Sequence, residues 1–392
     1  MNLFKKFIVA AFAVMPVMVL AAEGETSPNE KKLTVNVSTL NTSDSAVMAT
    51  KPQDGEKPVQ PLNIHIGPSK LTLFGYAQTQ FDMTKTGAET KNSFSMTRVI
   101  LMANAELTRK LSFFLMVDVA SAQASKHLHE YYAQYDFMPE LKVRVGQFKT
   151  PYTLENIISP TLLGTVNLNE GTRYMAGIAG DPLYGNYVGR DLGAMITGDA
   201  IKARDGHYYL NYSVGVFNGA GMNLRDNNNH KDMAAMLNVL PTKDITLSGS
   251  FIIGKGNAQT DDMFGTIVQG TDYTRNRWSV GAEVNYKPVK LRTEYMSGTN
   301  GDIGNRAFYA ELWCRLFRNF DIVLDYDYLD KNTGLSKDAR ELFPAWTRTN
   351  NYLVGMQYWV YKACRISTQY IFSDRNVGPD TKSWLTQFQI AF

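Results

Sequence analysis

From Leu71 to Phe392, apolar residues recur at every second position in short runs, and the helical period is almost absent. Side chains of a strand point to opposite faces with period two, so this pattern restricts the region to β-structure. The last run shows it clearly. Trp384, Thr386, Phe388, Ile390 and Phe392 fall on one face, and Leu385, Gln387, Gln389 and Ala391 on the other. Runs of this kind, bounded by Gly, Asn, Asp and Pro, are read at 71–81, 93–107, 111–119, 129–138, 141–148, 190–199, 206–218 and 231–240. The second half gives 244–254, 275–287, 289–298, 304–317, 319–329, 347–361, 364–374 and 382–392, sixteen strands in all.

The connections alternate. After even-numbered strands they are mostly tight, as in LTRK, MPE, LPTKD, KPVK and FRN. After odd-numbered strands they are mostly longer and polar, as in TKTGAETKN, AGMNLRDNNNH and DKNTGLSKDARELFPAW. Short turns at one end and long loops at the other, with an even strand number, describe a transmembrane antiparallel barrel of an outer membrane. The strand faces agree. Lys290, Arg292 and Glu294 oppose Val289, Leu291 and Tyr295, and Asp321, Asp325 and Asp327 oppose Ile322, Leu324 and Tyr326. A charge at the lipid midplane costs about 2–4 kcal/mol, so the charged faces look into the lumen. About sixteen strands enclose an aqueous channel rather than a solid core. The final strand is expected to pair with LTLFGYAQTQF, because an open edge in hydrocarbon leaves backbone groups unpaired. Tyr131, Tyr286, Tyr358, Trp359 and Tyr361 are expected in the interfacial aromatic girdles, and Phe392 at the periplasmic one.

The N-terminus, MNLFKKFIVAAFAVMPVMVLAAEG, has two lysines, a short apolar stretch and small residues after it. This is the three-part form of a signal peptide, residues 1–22, cleaved after Ala21 or Ala22. Residues 23–70 are rich in Ser, Thr, Pro, Asn and charge, and read as a flexible periplasmic extension. The barrel domain is 71–392. The formal net charge is only +3, which gives no electrostatic case for nucleic acid. The two cysteines, Cys314 and Cys364, fall on non-neighbouring strands and are read as thiols with no chemical role.

VRVGQFKTPYTLE, then a long connection, then GRDLG, resembles the phosphate-selective porin O and P family, as do SFSMTRVILMANAELTRKLSFFLMVDVA and HEYYAQYDFMPELK. The resemblance is strongest from Phe94 to Gly198. It implies a sixteen-stranded, homotrimeric porin whose third extracellular loop, here about Lys149 to Gly189, folds inward to narrow the pore. It also implies anions such as phosphate as solutes.

Anion selection needs positive charge along a narrow path, and Arg suits phosphate because its planar fork binds oxyanions bidentately. By alternation the lumen cations are Arg98, Lys142, Arg144, Arg275, Arg277, Lys290, Arg292, Arg315 and Arg365, with Lys149 and Arg173 on the long loop. The same alternation places Glu106, Asp118, Glu130, Asp136, Asp191, Glu283, Glu294, Glu311, Asp321, Asp325 and Asp327 inside, eleven acids against nine strand cations. No one-signed ladder is visible, so general diffusion with mild selectivity competes with phosphate specificity.

The alternative is an outer-membrane barrel with an adhesive or enzymatic role and no open pore. HLHE, His127 to Glu130, is the one cluster suggestive of metal or acid–base chemistry, and it lacks a third partner. No GxSxG, phosphate loop or CxxC pair occurs. The reading is therefore a passive channel for small hydrophilic solutes in the outer membrane, contacting its lipid, with no catalytic residues, metal or cofactor and no nucleic-acid partner.

Overall fold

The computed structural model describes residues 62–66, 69–122, 126–185, 187–361 and 364–392. The expected signal peptide and residues 23–61 lie outside these residues. Seventeen strands form one sheet. They are β1 (Leu62–Ile66), β2 (Ser69–Thr86), β3 (Glu89–Glu106), β4 (Leu111–Asp118), β5 (Leu128–Met138), β6 (Leu141–Lys149), β7 (Arg190–Lys202), β8 (Tyr208–Phe217) and β9 (Asp232–Thr242). There follow β10 (Ile245–Asn257), β11 (Asp272–Tyr286), β12 (Val289–Asn300), β13 (Ile303–Phe317), β14 (Phe320–Asp330), β15 (Arg348–Tyr361), β16 (Cys364–Arg375) and β17 (Thr381–Ala391).

Strands β2 to β17 pair antiparallel with their sequence neighbours, and β17 returns to β2 in the register Thr381↔Thr86 to Ala391↔Tyr76. The sheet is thus a closed sixteen-stranded barrel. Phe392 completes the seam. Its N–H donates to Gly75 O and its carbonyl accepts from Gly75 N, both at 3.0 Å. A side chain at Gly75 would strike Ile100 O at 2.4 Å and the Phe392 ring at 2.9 Å, so the close approach requires glycine.

Three sequence expectations change. Strand β1 lies within the segment read as flexible extension, and pairs with the foot of β2 from Leu62↔Leu73 to Ile66↔Ser69. The buried Asn63 Oδ1 accepts from Thr72 Oγ1 at 2.8 Å, which fixes it there. The first extracellular connection is a tight turn at Gly87–Ala88, because β2 and β3 extend through TKTGAETKN as a hairpin. Trp359 faces inward rather than joining a girdle, and its Nε1 donates to Asp321 Oδ2 at 2.7 Å. The remaining upper belt comes from register. Trp278 meets Tyr295, Phe308 meets Tyr326, and Tyr326 meets Tyr352 across strand pairs, with ring centroids 5.3–6.2 Å apart. Cys314 and Cys364 are free.

Candidate functional site

The segment 150–189 between β6 and β7 folds into the barrel. It carries α1 (Leu154–Ile157) and α2 (Glu170–Met175). Neither helix is long enough to satisfy the backbone of the whole loop, and the loop has no strand partner. Wall side chains supply the missing partners. Glu294 accepts from Leu154 N at 2.8 Å, Glu311 from Thr165 N at 2.9 Å, and Gln369 from Val166 N at 2.9 Å. Asp327 accepts from Glu170 N at 2.6 Å and Gly171 N at 3.2 Å. The loop carbonyls are taken by cations and amides. Arg277 donates to Met175 O at 2.6 Å, Arg365 to Leu163 O at 2.6 Å, and Gln357 and Gln369 to Gly164 O. The loop is thereby pinned along β11 to β16 by charge-assisted bonds, the strong kind.

This seating corrects the sequence reading of the cations. Arg275, Arg277, Arg292 and Arg365 face inward as the alternation has it, but the loop covers them, and none is more than 2 % exposed. Arg277 pairs with Asp181 of the loop at 2.7 Å, Arg292 with Glu311 at 3.3 Å and Glu283 at 2.8 Å. The Arg275 guanidinium lies 3.8 Å from the centroid of Tyr184. They clamp the loop and do not touch the solvent path. Lys149 also holds the loop, its Nζ donating to Asn156 O at 2.6 Å and Ile158 O at 2.9 Å. Lys142 pairs with Asp199 at 3.0 Å, Lys290 with Glu283 at 3.0 Å, and Arg315 with Asp321 near the tight-turn end.

Three candidates are bound neither to the loop backbone nor to a carboxylate in the contacts above. Arg173, on α2, is exposed, and no carboxylate pairs with it among the described residues. It lies within electrostatic reach of Arg98 on β3, as does Arg190. Arg98 is half-buried and donates to Gln78 Oε1 at 2.8 Å. Arg144 stands 4.0 Å over the Tyr132 ring and donates to Gln134. Apart from Lys149 on β6, the anchors named above run to β11–β16, while Arg173 lies within reach of Arg98 on β3.

Sequence reasoning missed the part played by GRDLG. Arg190 pairs with Glu130 at 2.7 Å, and Asp191 accepts from Gly219 N at 2.6 Å, which ties the loop exit to the fourth extracellular loop. Gly189 has φ +65°, and a Cβ there would meet Asn156 Oδ1 at 2.4 Å. The motif is a hinge anchor. His127 and His129 hold no metal set, and none occurs among the described residues.

The family model described as phosphate-selective porin O and P matches residues 72–389. This chain belongs to that family. It forms an outer-membrane porin channel, and the family and its fold indicate a channel rather than an enzyme. Three solved structures share the fold. OprB of Pseudomonas putida has a TM-score of 0.59 at 11 % identity, over 82 % of this chain and 94 % of that one. The trimer form of OmpT from Vibrio cholerae gives 0.56 at 12 %, over 82 % and 99 %. The outer membrane channel DcaP of Acinetobacter baumannii gives 0.54 at 10 %, over 82 % and 97 %. No curated protein sequence matches this chain.

Proposed function

We propose that this porin passes small anions, phosphate among them, through a gap between the inward loop and the β3–β7 wall. One observation carries the reading. Arg173 is exposed, with no carboxylate pairing with it among the described residues, and it lies within electrostatic reach of Arg98, beside which Asp118 also stands, while most other lumen cations are neutralised or buried under the loop. An exposed, unpaired guanidinium with a second one within reach attracts an anion and can bind its oxygens by its fork. Of the lumen acids, Glu294, Glu311 and Asp327 are turned to the loop backbone and away from this path. The family name supports phosphate as the solute.

The porin acts as a homotrimer in this reading, as one fold neighbour is recorded in trimer form. Export through a cleaved N-terminal signal and the absence of catalysis complete it. The test is the reversal potential across a planar bilayer under a KCl gradient, then with phosphate added. Anion-favouring steps that phosphate blocks are the expected result. Cation-favouring steps, or no effect of phosphate, would remove the phosphate reading and keep the porin.

A further inference from the structure

The loop is seated on carboxyl groups, and there are more of them than cations to balance them. Glu155, on α1, has no exposure. It accepts from Asn169 N at 3.3 Å and Asn169 Nδ2 at 3.1 Å, and the Thr172 side chain also faces it. From β12, Arg292 lies nearby, and Glu294 takes the backbone N–H of Leu154. From β13 come Glu311 and Tyr309, and from β14 comes Asp325, itself beside Asp327. Arg292 is the cation acting on Glu155, and it is already shared between Glu283 and Glu311. The Asp325 Oδ1 atom is buried with no hydrogen-bond partner. A set of buried carboxylates with one shared cation is not stable fully ionised.

We propose that the inward loop is a proton-operated latch, in which Glu155 must be neutral for the loop to stay against β12–β14. This rests on the reading of the loop as the wall of the solute path. Burial, and after it the nearby Glu311, push the Glu155 carboxyl from about 4.5 up to about 8. The sign follows from linkage. The seated loop holds the proton more tightly than the released one, so seating is strongest below the ordinary value. It weakens as pH rises and is least above the raised value. Released, the loop exposes Glu155 to water, and the carboxylate is stable there.

Single-channel recordings of the whole porin from about pH 5 to about pH 9 test this. The ratio of high-conductance (loop-seated) to low-conductance states should fall by up to about tenfold per pH unit below about pH 8, since one proton is linked. Glu155→Gln should abolish that slope. A pH-independent wild type, or a slope retained in Glu155→Gln, would overturn the proposal. If Glu155→Gln does not fold, a second variant decides. Cβ atoms at positions 171 and 307 would lie 2.7 Å apart, so Gly171→Cys with Ala307→Cys can bridge loop to wall after a shift of about 1 Å. The oxidised form should show no slope and the reduced form should regain it. A slope in the oxidised form overturns the latch. Steps that ignore pH discard the latch alone, whereas no steps at any pH discard the channel as well.

Discussion

The Cβ that Gly164 lacks would lie 1.3 Å from Nε1 of Trp313. The loop backbone therefore rests flat on an indole of the barrel wall, with Gly164 O held by Gln357 and Gln369. No other residue fits between the loop and β13. The contact fixes how far the loop reaches across the lumen.

Gly164→Ala is therefore expected to lift the loop, at about 1–3 kcal/mol of overpacking. A loop lifted from β13 moves into the gap, so conductance should fall, with the barrel still folded and heat-modifiable. Adding Trp313→Ala should recover part of the wild-type conductance. Unaltered conductance in Gly164→Ala would show that the loop does not set the constriction.

Arg173→Glu and Lys149→Glu should differ in kind. Arg173 is exposed and has no ion pair among the described residues, so its reversal should lower the anion preference at nearly unchanged conductance. Lys149 binds the carbonyls of Asn156 and Ile158, so its reversal should disturb the loop and change conductance as well. Reversal potentials and step sizes, measured together, separate the two.

Arg277→Leu should cost about 3–5 kcal/mol, because Asp181 is left buried and unpaired. Arg277→Lys should restore only part of it, since one ammonium cannot serve Asp181, Tyr174 O and Met175 O as the fork does. Thermal loss of the folded electrophoretic form is the measure.

Gly75→Val should impair barrel closure. Its side chain would meet Ile100 O and the Phe392 ring at the seam. The yield of heat-modifiable barrel should fall sharply, while a valine at Gly249 on β10, where nothing lies within 4 Å of a Cβ and the backbone is not left-handed, serves as the expression control.

Much of this was legible in the chain itself. Period two in sixteen stretches sets the strands, because a barrel wall has only two faces and the lipid rejects charge from one of them. The alternation correctly put Arg275, Arg292 and Glu311 inside. Turn positions were less legible, as at TKTGAETKN, where polar residues read as loop continue a hairpin beyond its neighbours. The Trp359 expectation failed because a polar handle on an aromatic is satisfied as well by Asp321 inside as by an interface outside.

What the sequence determined alone is the closed barrel and its lumen face, since these follow from local periodicity and the demand for paired backbone, while the inward fold of the long connection came from the family resemblance. Only the tertiary structure decided which lumen charges meet solvent. The loop lies over β11 to β16 and takes their arginines and carboxylates as partners for its own N–H and C=O groups. Such pairings join residues more than a hundred positions apart, and no local pattern encodes them. The same seating buries Arg275, Arg277, Arg292 and Arg365 and leaves Arg173 exposed.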